Sequence, residues 1–186
     1  MVKKAMGKYC FVYPVPTVIL GSTINGKANF STIGNCGIIS MHPATVYVST
    51  DIHHYTNIGI KETNMFSVNF PSQDSIIKTD YCGLVSGRNK DKSQVFQVFY
   101  GESIYAPMIE ECPVCLECNV INHQTINGMD VFIGEVIQSY IDEKCLVNGI
   151  PDAELIDPII YTMKGKYRKI GEETGIPFSD GRKYVD

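Results

Sequence analysis

Three stretches of this sequence concentrate groups suited to holding a polar ligand rather than to cleaving one. Asn29-Phe30-Ser31-Thr32-Ile33-Gly34 places an amide and two hydroxyls along a short run. Such a run can turn hydroxyls and backbone N–H groups toward a ligand that needs many hydrogen bonds; as bare pattern it is also a strand end entering a turn. Ser49-Thr50-Asp51-Ile52-His53-His54-Tyr55-Thr56-Asn57-Ile58 leaves a strand and enters a helix. A helix start carries free N–H groups and the positive end of the dipole, which suits a phosphate, although a polar loop with a cap has the same composition. The third stretch is Gly83-Leu84-Val85-Ser86-Gly87-Arg88-Asn89-Lys90-Asp91-Lys92. There Ser86 offers a hydroxyl, Gly87 allows close backbone approach, and Arg88 and Lys92 carry positive charge.

Other chemistries fit less well. The third stretch lacks the G-x-x-x-x-G-K-[ST] spacing of a P-loop, and no G-x-G-x-x-G with an acidic partner is present to report a nicotinamide preference. Cys112, Cys115 and Cys118 form a C-x-x-C-x-x-C run that suggests an iron–sulfur cluster, with Cys145 or another Cys as a fourth ligand. If Glu111 to Val120 is a strand, however, Cys115 points opposite to Cys112 and Cys118, and the three cannot share a cluster. Packing as small hydrophobes is the expected role of these thiols, and of Cys36 and Cys82 beside the first and third stretches. His42, His53 and His54 have no matched Cys or carboxylate spacing, so no metal is expected. His123 stands alone and reads as a satisfied or surface residue.

The elements that must position these groups are mainly strands. Among 186 residues, 44% are hydrophobic and 19% charged, with 11 Tyr and 8 Phe, a globular and strand-leaning composition with no long linker. One domain over residues 1–186 is expected. Asn25-Gly26 and Asn127-Gly128 predict hairpins, the second between the β-rich runs Val114 to Ile121 and Val131 to Ile141. Thr45 to Ser49 and Met65 to Phe70 alternate as strands, the latter stopped by Pro71. Thr56 to Thr63 reads as a short helix and Ser72 to Lys78 as another; Asp80 to Ser93 reads as loop, with room for a turn of helix. Lys164-Gly165-Lys166 suggests a last hairpin between Ile159-Ile160-Tyr161 and Tyr167 to Ile170. Many strands, tight turns and short helices favour a closed antiparallel barrel, which leaves few exposed edges.

Charge and the chain start narrow the partners. The net charge is −4 and no Lys/Arg run exceeds two residues, so the footprint of a nucleic-acid binder is missing. Lys8, Pro14 and Pro16 interrupt any signal-peptide core, no apolar stretch reaches the ~20 residues of a membrane span, and the seven cysteines are odd in number. A cytoplasmic chain with reduced thiols and no membrane partner is expected.

The order of these segments resembles the flavin reductase-like family, which includes flavoredoxins and NAD(P)H:flavin oxidoreductases. The matching landmarks are Pro14-Val15-Pro16, Asn29 to Gly34, Pro43 to Ser49, His54 to Ile58, Ser86-Gly87 and Asp91-Lys92. Further along come Ala106-Pro107, Leu116-Glu117-Cys118, Phe132 to Val136 and Pro158 to Tyr161. The resemblance implies an antiparallel Greek-key split β-barrel, a homodimer, and FMN near the subunit interface. Mapped onto this chain, Asn29, Phe30, Ser31, Thr32, Ser49 and Thr50 run along the isoalloxazine and ribityl chain. Thr56, Asn57, Ser86 and Lys92 surround the phosphate with His54 and Tyr55 nearby, and Tyr161 neighbours the cofactor. The implied activity is hydride transfer from NADH or NADPH to FMN, for flavin or ferric reduction. The alternative is an electron carrier reduced by a redox partner protein, and a non-flavin barrel is the third reading.

Overall fold

The computed structural model describes residues 3–162 and 165–184. In chain order the strands are β1 (Val15–Pro16), β2 (Val18–Ile24), β3 (Lys27–Ile33), β4 (Cys36–Met41), β5 (Ala44–Asp51), β6 (Met65–Phe70), β7 (Val98–Phe99) and β8 (Met108–Ile109). They continue with β9 (Val114–Ile126), β10 (Met129–Ile141), β11 (Leu146–Val147), β12 (Ile150–Pro151), β13 (Ile160–Thr162) and β14 (Lys166–Arg168). The helices are α1 (Thr56–Thr63), α2 (Ile76–Leu84) and α3 (Ala153–Ile156).

Both Asn-Gly turns form. Asn25 and Gly26 take φ of 50° and 73°, Asn127 and Gly128 take 50° and 79°, the paired left-handed conformations of a tight hairpin turn. β2 and β3 therefore pair antiparallel from Val18↔Ile33 to Ile24↔Lys27, and the two thirteen-residue strands β9 and β10 pair along their length.

Seven strands make the main sheet in the order β3-β2-β6-β9-β10-β5-β4, all antiparallel. One face rolls inward. Val18 and Leu20, Ile33, Val46 and Val48, Phe66 and Val68, Cys118 and Phe132 form one buried cluster, and Cys36 of the far edge strand packs against it. Because the two edge strands both reach this cluster, the sheet closes on itself as a split barrel with its seam between β3 and β4. Strand β4 was not anticipated from sequence: Ile38, Ile39 and Met41 are exposed and show no inward alternation to read.

Close packing leaves no room at several glycines. A Cβ at Gly134 on β10 would lie 2.5 Å from the Phe66 ring at the barrel centre. Gly134→Ala should therefore lower stability by about 1–3 kcal/mol, read as the midpoint of urea unfolding, because the ring has to leave its rotamer. An unchanged midpoint would mean that Phe66 has space the structure does not show.

A second cluster lies outside the barrel wall, where Ile19, Ala28 and Phe30 meet Cys82 of α2, Phe96, Met108, Ile109, Cys112 and Cys115. It explains two departures from the sequence expectations. First, α2 runs unbroken from Ile76 to Leu84, where the sequence places loop with at most a turn of helix from Asp80 onward. Ser75, Thr79 and Cys82 recur at helical spacing on the buried side, and that packing outweighs the poor helix propensity of the Gly- and Asp-containing segment.

Second, the cysteine run is not one continuous strand. β9 begins at Val114, so Cys112 sits in the preceding turn, its N–H bonded to the Ile109 carbonyl at 3.1 Å. Cys112 thus joins Cys115 in the outer cluster, while Cys118 faces the barrel interior. All seven cysteines are free thiols, and burial pushes those of Cys36 and Cys115 up to about 12. No group of three or more His, Cys, Asp or Glu among the described residues is placed to hold a metal.

The last hairpin pairs Ile160↔Arg168 to Thr162↔Lys166, with Lys164 of its expected turn outside the described residues. β1 adds to this hairpin through Val15↔Tyr161. No helix among the described residues is long and apolar enough to cross a membrane.

Candidate functional site

A groove runs along β3 between the start of α1 and the end of α2. Its inner part, a cavity of about 240 Å³, is lined by Ser31, His54, Tyr55, Thr56, the Cys82–Gly87 segment and Lys92. Gly83 and Leu84 join it to a larger cavity of about 480 Å³, bordered by β1, the end of β3, α2 and the β13–β14 hairpin.

The inner cavity is cationic and tightly built. Lys92 is 3% exposed, and its ammonium donates to the carbonyls of Cys82 at 3.0 Å and Val85 at 2.7 Å. Those carbonyls belong to the end of α2, where a cation complements the helix dipole. Among the described residues Lys92 has no carboxylate partner, and burial lowers its pKa below that of an ordinary lysine. An ammonium has three donors, so one N–H remains for a ligand.

His54 lies opposite. Its Nδ1 is buried with no hydrogen-bond partner among the described residues. Burial lowers its pKa; Asp51 pulls it up and Lys92 pushes it down, and the net direction is downward, favouring the neutral ring near pH 7. Ser86 Oγ accepts from the Arg88 N–H at 3.2 Å, so its own proton is free to donate. A Cβ at Gly87 would overlap Asn29 Oδ1 and lie 2.5 Å from the Tyr55 ring, so only glycine lets this turn close over the cavity.

Asn29 crosses from β3 to α1, donating from Nδ2 to Thr56 Oγ1 at 2.9 Å, while Ser22 Oγ donates to the Thr56 carbonyl at 3.0 Å. Thr56 is thereby fixed and 1% exposed. The N–H groups of Asn57 and Ile58 turn back to the carbonyls of His54 and Tyr55 at 3.2 and 3.1 Å, so those donors of the helix start are spent within the chain.

The larger cavity is flatter and more apolar. Val15, Thr17, Thr32, Ile33, Leu84, Tyr161 and Tyr167 line it. The two tyrosine rings meet edge-on at 6.1 Å. Tyr167 donates its hydroxyl to Asp80 Oδ1 at 2.8 Å, and burial together with that carboxylate pushes its pKa up to about 12. Thr17 Oγ1 is buried with no hydrogen-bond partner among the described residues. Sequence reasoning did not single out Thr17, Leu84, Asp80 or Tyr167; of these Leu84 lay within the third stretch and Thr17 just after Pro14-Val15-Pro16, while Asp80 and Tyr167 carried no signal.

The structure thus gathers Asn29, Ser31, Thr32, His54, Tyr55, Thr56, Ser86, Lys92 and Tyr161 along one groove. Four other expected residues stand apart from it. Phe30 points away from Asn29 and Ser31 on β3 and packs edge-on against Phe96, ring centroids 5.6 Å apart. Ser49 and Thr50 sit on β5, away from the cavities, with Thr50 Oγ1 donating to Asn57 Oδ1 at 2.6 Å. Asn57 spends its amide protons on the Asp51 carbonyl at 3.0 Å and Asp130 Oδ2 at 2.9 Å. Its polar atoms therefore serve the fold. What the groove can do is hold an elongated ligand, with an anionic end at Lys92 and a flat, largely apolar end between Thr32, Leu84 and Tyr161.

Residues 9–171 match the model of the flavin reductase like domain. The chain belongs to that family. Among solved members, the flavoredoxin from Methanosarcina acetivorans is 39% identical, with both chains covered in full and a TM-score of 0.96. The flavoredoxin of Desulfovibrio vulgaris (Miyazaki F) is 31% identical over 97% of this chain and 100% of that one, with a TM-score of 0.89. An FMN-binding protein from Thermus thermophilus, solved with bound 1-cyclohex-2-enone, shares the fold at 23% identity, a TM-score of 0.81 and coverage of 95% and 98%. An uncharacterized protein of Aeropyrum pernix is 24% identical over 164 residues; the match takes in 86% of this chain and 61% of that curated relative's length.

Proposed function

We propose that this chain binds FMN non-covalently along the β3 groove and acts as a redox protein of the flavoredoxin kind. The observation that carries the reading is Lys92, a buried ammonium with no carboxylate partner among the described residues, at one end of a groove whose other end is flat and aromatic. A phosphate ester with roughly two negative charges supplies the missing counter-charge. The orphaned His54 Nδ1 and Thr17 Oγ1 at the two ends fit a ligand that spans the groove.

In this reading Lys92, Ser86 and His54 hold the phosphate, with Tyr55 beside it and Thr56 behind. Asn29 and Ser31 follow the ribityl chain, while Thr32, Thr17 and Tyr161 border the ring. Phe30, Thr50 and Asn57 shape the site from behind rather than touching the ligand. Bound FMN supplies reversible one- and two-electron chemistry; the protein supplies binding, orientation and electrostatics, so no acid–base triad is required. A homodimer is part of the proposal: the edge strand β4 exposes Ile38 and Met41 at 68% and 66%, opposite Val46 and Ala44 of β5, an apolar surface for a second copy of a cytoplasmic chain.

Two electron sources compete. The likeness above 30% identity to two flavoredoxins favours delivery by a redox partner protein. NADH or NADPH is the second reading, favoured by the flavin reductases within the family. Stopped-flow mixing of FMN-loaded protein with each nucleotide under anaerobic conditions separates them. The carrier reading expects slow or no bleaching of the flavin band with either nucleotide and full bleaching by dithionite. Rapid bleaching by NADH or NADPH would overturn it and make the chain a flavin or ferric reductase.

A further inference from the structure

The larger, flatter end of the groove has a buried floor and an exposed rim. Thr17 and Ile33 on the floor are buried, whereas Asp80, Leu84 and Tyr161 on the rim are exposed and Tyr167 is half-buried. One wall of the rim is the sheet β1-β13-β14, which is separate from the seven-stranded sheet and has β14 as a free edge. The base of this wall is tied down. β1 pairs with β13 at Val15↔Tyr161, and the Thr17 N–H donates to the Ile159 carbonyl at 3.0 Å. The free edge is held differently: among the described residues β14 pairs with β13 alone, and Tyr167 on it reaches across the rim to donate to Asp80 Oδ1 of α2 at 2.8 Å. The raised pKa of this hydroxyl, at about 12, keeps it protonated and therefore a donor through the neutral range.

We propose that the Tyr167–Asp80 hydrogen bond is a latch across the ring end of the groove, which decides whether dissolved small molecules reach the bound flavin. The inference rests on the FMN reading of the groove. With the bond formed, the wall is pinned both at its base and at its free edge, and the rim is bridged from β14 to α2. With the bond broken, the aromatic wall of Tyr161 and Tyr167 is free to swing on its β1 side. Asp80 and Tyr167 are positioning residues here, acting through the wall rather than through the reacting atoms. A docked protein can pass electrons to a ring it does not touch, whereas a dissolved oxidant has to meet the ring. A closed latch therefore suits a carrier, and an open one lets dioxygen drain its electrons.

Two measurements test the latch, the first without flavin. Amide hydrogen exchange of β13 and β14 in FMN-free protein should rise about tenfold in Asp80→Ala and in Tyr167→Phe, the share of one hydrogen bond to a carboxylate. In Asp80→Asn, whose amide oxygen still accepts the phenol proton, exchange should stay within about twofold of wild type. The second measurement mixes FMN-loaded, dithionite-reduced protein with dioxygen; each reduced FMN gives two electrons and two protons to one dioxygen, leaving FMN and hydrogen peroxide. Recovery of flavin absorbance, taken per bound flavin, should be about tenfold faster than wild type in Asp80→Ala and Tyr167→Phe and close to wild type in Asp80→Asn. Rates equal to wild type in Asp80→Ala and Tyr167→Phe, in either measurement, overturn the latch. So does an Asp80→Asn that behaves like Asp80→Ala, because the charge and not the bond would then be at work. Wild-type protein that binds no FMN overturns the groove reading and the role of the latch with it, whatever the exchange rates.

Discussion

Replacing Lys92 by Met is expected to weaken FMN binding by about 10- to 100-fold, the largest single effect on the proposed ligand. A charge-assisted hydrogen bond is worth about 1.5–3 kcal/mol, and 1.4 kcal/mol is one factor of ten in affinity. Methionine keeps the length of the buried stem but removes the charge, and leaves the carbonyls of Cys82 and Val85 without their donor. The end of α2 should loosen as well, giving a measurable drop in melting temperature. Lys144→Met is the control, because Lys144 is exposed, lines neither cavity of the groove and is paired with Asp142, and its loss should leave FMN affinity unchanged. The pH profile carries a sign. Burial lowers the pKa of Lys92, so in the unliganded protein its ammonium loses its proton at a lower pH than an ordinary lysine does. Affinity should therefore decline in the alkaline range earlier than for an exposed lysine site. The FMN dissociation constant by fluorescence titration at neutral and alkaline pH reads both effects, and equal affinity in wild type and Lys92→Met would contradict the placement of the phosphate.

Asp130→Ala is expected to cost about 3 kcal/mol of stability, the largest effect on folding among these variants. The Asp130 carboxylate is fully buried at the turn end of β10 and accepts from Lys61 at 2.6 Å, Asn57 at 2.9 Å, His123 at 2.9 Å and Thr125 at 2.8 Å. It ties α1, which forms one wall of the groove, to the β9–β10 hairpin. Burial by itself raises the carboxyl pKa, but the hydrogen bonds from these four side chains outweigh it and hold the pKa well below the carboxylate range. A group depressed in the folded state stabilises above its unfolded pKa of about 4, and that contribution is lost as pH falls through the folded value. Wild type should lose stability from about pH 4 downward, and Asp130→Ala should show less of that acid sensitivity. Urea midpoints at pH 7 and pH 3.5 provide the comparison; a variant as stable as wild type at pH 7 would show that this network is not holding α1.

The fold was legible where local chemistry and pattern agree. Asn-Gly pairs demand left-handed φ at two successive residues, and both set their hairpins as expected. Helix α1 was bounded at Thr56 and Thr63 as read, with Asn64 closing it at φ 55°. What was not legible depends on tertiary contacts. Helix α2 persists past Asp80 because Thr79 and Cys82 bury against the barrel wall, which no propensity reports. The site was legible in composition but not in direction. Phe30 sits between Asn29 and Ser31, yet strand alternation sends it into the outer core. Asn57 looks like a ligand amide in sequence, and only the structure shows its atoms committed to Thr50, Asp51 and Asp130. Tyr167 and Asp80 meet across 87 positions, a separation at which sequence carries no pairing signal.

The most direct test of the account is a fluorescence titration of FMN with wild-type protein freed of endogenous flavin, together with the absorbance spectrum of the protein as purified. The account predicts a yellow protein with flavin bands, and quenching of added FMN that saturates near one flavin per chain. A colourless preparation that leaves FMN fluorescence unchanged at every protein concentration would contradict it.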